Sequence, residues 1–340
     1  MSDDRKNGGR EITQSPRPPV PQSDPSSPLA VRLGPLELKN PIVTASGTFG
    51  YGLEFTDFVD LSRLGGLCTK GLSLEPHAGN VPPRICETPA GMLNAIGLQN
   101  VGIGVFLREK LPRLRELRAT VIANVWGDAE EDYVTVVEAL EEAEGLAAIE
   151  LNISCPNVEK GGMLFGNSPQ ATASLVGRVR AATRRPLIVK LSPNAPDLVL
   201  SARAARESGA DVLSLVNTFV GMAIDPETAK PRLSFGTGGL SGPAIQPLAV
   251  RMVFQVARAL PGVPIMGIGG ISELADVLEF LAAGATAIQI GTANFKEPGV
   301  SGRLVEELGA WCEERRTPVA KLVGRAHRGD SSSLEAGAEG

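Results

Sequence analysis

The sequence predicts an α/β chain folded as a (β/α)8 TIM barrel, with insertions after strands 2 and 6 and a disordered tail at each end. Three observations carry this. Between Leu29 and Gly324, eight short β-rich apolar runs alternate with amphipathic helical stretches. No GxGxxG turn follows the first run, which weakens the rival reading of a two-domain dinucleotide fold. Polar residues and glycines gather where the runs end, the face on which such barrels build their sites.

In chain order, residues 1–28 come first. They hold six prolines and five serines and almost no large apolar residue. Such a stretch cannot bury enough surface to offset its ordering entropy, so a disordered tail is expected. Residues 325–340, rich in Gly, Ser and Glu, form the second expected tail. The folded domain is 29–324. Its expected strands are Pro41–Ser46, Gly66–Gly71, Thr120–Trp126, Ala147–Ser154, Pro186–Ser192, Val212–Thr218, Pro264–Gly269 and Ala287–Gly291. Expected helices are Glu130–Glu142, Pro169–Thr183, Asp197–Ser208, Ala244–Leu260, Glu273–Ala283 and Arg303–Glu314, with apolar residues at three- and four-residue spacing as in Val250, Val253, Phe254 and Ala257. Ser168-Pro169 and Ser272-Glu273 read as helix starts. Two connections exceed simple loops, Leu72–Gln99 after strand 2 and Asn217–Ser241 after strand 6. Insertions on the strand-exit face help to build sites.

Composition narrows the chemistry. A formal charge of -5 argues against non-specific nucleic-acid binding. No apolar run reaches the length of a membrane span and the N-terminus lacks a signal-peptide core, so a cytoplasmic protein is expected. The four cysteines, Cys68, Cys86, Cys155 and Cys312, are too scattered for a zinc site, an iron–sulfur cluster or a disulfide framework, and no metal is expected. With only His77 and His327 in the chain, a general base has to be Cys, Lys, Asp, Glu or Tyr.

The expected strand exits are Ser46-Gly47, Lys70-Gly71, Asn124, Asn152, Lys190, Asn217-Thr218, Gly269-Gly270 and Gly291-Thr292. A polar cap explains any one of them; together they converge on one mouth. The glycine turns after strands 7 and 8 let backbone N–H groups approach a phosphate. Lys70 and Lys190 could form a Schiff base or stabilise negative charge on a bound ring, and Asn94 adds an amide on an inserted loop. A planar heterocycle with several carbonyl and N–H edges, a flavin or a pyrimidine, suits this many amides. Within Ile149–Asn157, Cys155 sits between a polar strand end and Pro156, as a proton-transfer residue would. The glycines of Val158–Asn167 predict a mobile lid beside it.

Several stretches resemble a known family. They are Asn40–Gly52 (NPIVTASGTFGYG), Thr69–Gly79 (TKGLSLEPHAG), Thr88–Asn100 (TPAGMLNAIGLQN), Glu150–Asn157 (ELNISCPN), Val189–Asn194 (VKLSPN), Ser214–Asp225 (SLVNTFVGMAID), Thr237–Ile245 (TGGLSGPAI), Gly267–Ile271 (GIGGI) and Ile290–Phe295 (IGTANF). In these the chain is similar to the class 1 dihydroorotate dehydrogenases, most of all to the NAD-linked class 1B catalytic subunit. The resemblance implies a barrel holding FMN and oxidising dihydroorotate to orotate in pyrimidine biosynthesis. Carried over by position, Ser46, Lys70, Gly71, Asn124, Asn152, Lys190, Val216, Gly242, Gly269, Gly270, Gly291 and Thr292 would touch FMN. Lys70, Asn94, Ala95, Ile96, Gly97, Leu98, Asn152, Asn217 and Thr218 would hold the substrate. Cys155 matches the family's base, taking a proton from C5 while hydride leaves C6 for the flavin N5. The resemblance also implies a homodimer of catalytic subunits joined to an FAD and iron–sulfur subunit in a heterotetramer that passes electrons to NAD. A fumarate-linked class 1A-type enzyme, another FMN-dependent pyrimidine oxidoreductase and, more remotely, a Schiff-base aldolase are the alternatives.

Overall fold

The computed structural model describes residues 27–154 and 162–328. Cys155 and the first part of the expected lid lie outside the described residues. Eight parallel strands close a barrel: Ile42–Thr44, Gly66–Cys68, Val121–Val125, Leu146–Asn152, Leu187–Lys190, Val212–Leu215, Ile265–Ile268 and Ala287–Ile290. Each lies within three residues of the boundaries expected from sequence. Neighbours in the barrel are neighbours in the chain, and strand 8 pairs with strand 1 through Ile288–Ile42 and Ile290–Thr44. These strands are Val-, Ile- and Leu-rich runs rather than alternating ones because helices cover their outer face while side chains fill their inner face.

The six expected helices are present as Glu130–Glu141, Pro169–Ala182, Leu198–Glu207, Gln246–Ala259, Leu274–Ala283 and Val300–Glu314. Ser168 and Asp197 cap theirs by accepting from the amides of Ala171 and Leu200. A further helical stretch follows strand 2, running through Gly102–Val105, a π turn over Phe106–Lys110, and Leu111–Glu116. Pro112 has no N–H to offer the preceding turn, and the wider turn before it accommodates the missing bond. The stretch expected as a glycine-rich loop contains a short helix, Gly162–Asn167. It abuts the barrel closely, since a Cβ on Gly166 would lie 2.5 Å from the Ile153 carbonyl oxygen, and Thr172 Oγ1 donates to the Phe165 carbonyl.

Two additions frame the barrel. At the N-terminal end, Val31–Leu33 and Leu36–Leu38 form an antiparallel hairpin whose four apolar residues are buried. Its turn at Gly34 packs against Asp211 and Val212 at the start of strand 6, closing the barrel floor. At the other end the two insertions interlock. Phe219–Met222, Thr237–Ser241, Gly91–Asn94 and Ile85–Thr88 make one four-stranded antiparallel sheet in that order, over a small core of Leu93, Ala95 and Leu233. The described chain also continues past Gly324, the expected end of the folded unit: Arg325–His327 form a 3-10 turn, and the His327 ring stacks on Phe254 at 4.2 Å. No helix among the described residues is long and apolar enough to cross a membrane.

Candidate functional site

A cavity of about 320 Å³ opens where the strands end, between the barrel mouth and the inserted sheet. That volume falls within the range of small-ligand clefts, about 300–1,000 Å³. All twelve cofactor candidates line it: Ser46, Lys70, Gly71, Asn124, Asn152, Lys190, Val216, Gly242, Gly269, Gly270, Gly291 and Thr292. Of the substrate candidates, Asn94, Ile96, Gly97, Leu98, Asn217 and Thr218 line it as well. Ala95 does not; its methyl is buried with Leu93 and Leu233. Two lysines and no Asp or Glu face the cavity from the described residues, so its field favours an anionic ligand.

Below the cavity the barrel interior is polar. Cys68, Glu150, Ser214 and Gln289, from strands 2, 4, 6 and 8, meet around the Glu150 carboxylate, in the manner of the four-residue layers that fill such barrels. Asn124 joins from strand 3, its Nδ2 donating to Glu150 Oε1 at 2.7 Å. Burial, then the Glu150 carboxylate, pushes the Cys68 thiol well above its ordinary value, so it stays neutral and donates. Asn124, Lys190 and Ile268, from the odd strands 3, 5 and 7, form part of the cavity wall above. Lys190 is buried, with Nζ donating to Ser46 Oγ at 3.3 Å. Burial first, then the Arg84 guanidinium, lowers the Lys70 ammonium below its usual range, with Glu54 acting in the opposite sense.

The end of strand 4 organises the amide side. Asn217 Nδ2 donates to Ser154 Oγ at 2.9 Å, and Ser154 Oγ donates to Asn152 Oδ1 at 3.2 Å. Tyr133 holds the strand from outside by donating to the Asn152 carbonyl at 2.9 Å. With its carbonyl oxygen committed, the Asn152 amide keeps its NH2 to donate. Cys155, the expected base, follows Ser154 in the sequence and lies outside the described residues.

Opposite lies a wall made of backbone. Gly269 and Gly270 adopt φ of 137° and 75°, in the region that only glycine enters freely. A Cβ on Gly270 would come within 2.8 Å of both Gln246 Cβ and the Gly242 carbonyl oxygen. Gly291-Thr292 faces them, and Thr292 Oγ1 donates to Ser241 Oγ at 2.8 Å. Such turns bring main-chain N–H groups to a ligand without side chains in the way.

The residues fit a flavin phosphate at the glycine wall and its ring against the amides. Asn124 lines the cavity, but its Oδ1 is buried beside Gly71 and Trp126, whose Nε1 is likewise buried without a hydrogen-bond partner among the described residues. Sequence reasoning did not single out Glu150 as a functional residue, nor Met92, Ser241, Ile245 and Phe295, which also line the cavity. A glutamate inside an otherwise apolar strand was the available signal for the first; apolar lining looks like core in a sequence.

A family profile described as dihydroorotate dehydrogenase matches residues 28–311. The chain is 53% identical over 297 residues to a protein of Trichlorobacter lovleyi named dihydroorotate dehydrogenase B (NAD(+)), catalytic subunit, covering 87% of this chain and 97% of that one. A protein of Bacteroides thetaiotaomicron with the same name is 52% identical over 295 residues, at the same coverage. Among solved structures, a crystal structure of DHODH from Eimeria tenella in complex with ferulenol has the same fold, with a TM-score of 0.75 at 22% identity over 91% of each chain. The chain belongs to the dihydroorotate dehydrogenase family.

Proposed function

We propose that this chain oxidises dihydroorotate to orotate in pyrimidine biosynthesis, with FMN as its bound cofactor and Cys155 as the base. The single observation that carries the reading is the cavity itself: a glycine-built backbone wall on one side, amide side chains on the other, and two lysines but no carboxylate among the described residues that line it. A flavin bound there would accept the hydride that leaves C6 of the substrate, and with it both electrons of the oxidation. The chain's own residues do the rest. Gly269, Gly270, Gly291 and Thr292 bind the phosphate through backbone N–H groups. Lys190 supplies positive charge beside the ring. Asn94, Asn152, Asn217 and Thr218 hold the pyrimidine edge with groups that do not compete for its protons. Lys70 pairs with the substrate carboxylate. Cys155, as thiolate, takes the C5 proton, and the inserted sheet keeps water from the reacting carbons.

The relatives' names support a class 1B assembly, in which this chain is a catalytic subunit whose electrons pass to NAD. The partner consistent with that is an FAD and iron–sulfur subunit, joined to a homodimer of this chain in the cytoplasm. The direct experiment is an absorbance spectrum of the purified chain followed by anaerobic addition of dihydroorotate. A flavin band that bleaches on addition is expected; a colourless protein, or a flavin that stays oxidised, counts against the reading. Turnover with fumarate and no partner would favour a class 1A-type enzyme instead. Cys155→Ser should retain FMN while slowing flavin reduction at neutral pH by roughly 10²–10⁴-fold, the usual worth of a general base. A near-normal half-reaction in that variant removes Cys155 from the role.

A further inference from the structure

The backbone wall owes its aim to the peptides that end strands 7 and 8. The ladder between those strands stops at the Ile268–Gln289 pair. The Ile268 carbonyl turns towards strand 6 and accepts from the Val216 N–H at 3.2 Å, and the Ile290 carbonyl turns towards strand 1 and accepts from the Ala45 N–H at 2.8 Å. In a planar trans peptide the C=O and N–H point to opposite sides. The Gly269 N–H is therefore turned towards strand 8 and the Gly291 N–H towards strand 7, so the two converge on the gap between the strand ends. Both glycines line the cavity, and neither N–H has an acceptor among the described residues. One side chain fixes the strand 8 half of this pair. Asn294 is buried behind the wall, where its Nδ2 donates to the Ile290 carbonyl at 3.0 Å and to the Gly291 carbonyl at 2.9 Å, and its backbone N–H donates to the Gly291 carbonyl at 3.0 Å. The two carbonyls pinned in this way belong to the peptides whose N–H groups are those of Gly291 and Thr292.

We propose that Asn294 is a positioning residue for a bound phosphate: by holding the Ile290 and Gly291 carbonyls from behind the wall, it fixes the direction of the Gly291 and Thr292 N–H groups before the ligand arrives. The inference rests on the flavin reading and deepens it. Glycine is the least restrained residue of a backbone, and a turn that the ligand itself had to order would bind it more weakly. The helix that Asn294 belongs to, Ala293–Lys296, has only four residues, so the hold comes from the side chain and not from a helix terminus. The amide is also an expensive way to fill the space. Asn294 Oδ1 is buried with no partner among the described residues, a cost that an apolar side chain of the same size would avoid. What the residue gains in return is its NH2 on two carbonyls.

The test separates the phosphate from the ring, since riboflavin carries the ring of FMN without its phosphate. Asn294→Leu keeps the size of the side chain and removes its donors. In fluorescence titrations of the flavin-free chain, its FMN affinity should fall roughly tenfold, the worth of one or two hydrogen bonds, while riboflavin affinity stays within about twofold of the parent. Equal weakening of both flavins would mark a merely structural residue and overturns the proposal, as does unchanged FMN binding. If Asn294→Leu does not fold, Asn294→Ser carries the same comparison. Its hydroxyl can still donate to the carbonyl four residues back, and the FMN-selective loss should shrink to about threefold. A second measurement needs no flavin. Inorganic phosphate added to the flavin-free parent should shift the Gly291 and Thr292 amide resonances by NMR, and in Asn294→Leu the same shifts should require roughly tenfold more phosphate. Amides that ignore phosphate in the parent also overturn the proposal. A parent that takes phosphate at these amides but binds neither flavin would instead sink the flavin reading and leave the hold of Asn294 on the phosphate turn standing.

Discussion

The two walls of the cavity are made of different material. One is backbone, Gly242, Gly269-Gly270 and Gly291-Thr292; the other is side chain, Asn124, Asn152, Lys190 and Asn217. The backbone wall recognises by shape, since its N–H groups stand where the chain path puts them. The side-chain wall recognises by chemistry, with each polar group held by a neighbour: Asn124 by Glu150, Asn217 by Ser154, Lys190 by Ser46. Adding an atom therefore damages the first, and removing one damages the second.

Substitutions can break this contrast. The largest effect is expected from Gly270→Ala, where an added methyl meets Gln246 and the Gly242 backbone at 2.8 Å in a left-handed conformation. Strain of about 1–3 kcal/mol is expected. It should appear as a lower melting temperature and as FMN lost on gel filtration. Lys190→Ala removes a charged donor worth about 1.5–3 kcal/mol, and FMN affinity should fall roughly 10–150-fold with little change in melting temperature. If Lys190→Ala destabilised the fold more than Gly270→Ala, the division of labour would be wrong.

Smaller effects sharpen the contrast on the side-chain wall. Lys70 is held below the ordinary lysine value of 10.5, so its ammonium is lost at a lower pH than a free lysine's. Substrate carboxylate binding should therefore weaken as pH rises through that lowered value and be fully present below it. Lys70→Arg keeps its charge and should flatten KM across the same range. Ser46→Ala, which removes one neutral partner of Lys190, should cost FMN affinity only about threefold to tenfold, the worth of an ordinary hydrogen bond. Flavin dialysis across this series would rank the contributions.

Much of this was legible in the sequence because parallel barrel strands announce themselves. Buried on both faces, they read as short unbroken apolar runs, and all eight were visible. What escaped did so for physical reasons. Gly102, Gly104 and Pro112 disguise the helical stretch after strand 2, since helix propensity falls at each of them. Three-residue strands such as Val31–Leu33 carry too few alternations to register as a hairpin. The family resemblance carries the whole run from Asn94 to Leu98 into the site, Ala95 included, yet successive residues of an extended chain face opposite ways. Asn94 turns to the cavity and Ala95 to the small core beneath the sheet. Glu150 was visible as a charge inside an apolar run, but a strand covered on both sides does not reveal which interior group the charge will serve.

The inserted sheet has a consequence for how the molecule comes into being. Leu93 pairs with Leu240 and Asn94 with Gly239, partners that stand on either side of strands 3 to 6 in the chain. Closing that pair first would mean fixing the ends of a very long free loop, whereas forming it after the intervening strands have joined the wall leaves a short span to close. The cavity is thus finished late, by segments that cannot meet until most of the barrel exists. A chain cut short before strand 6 lacks half of the sheet that covers the mouth, and only a nearly whole wall can hold the ligand in place.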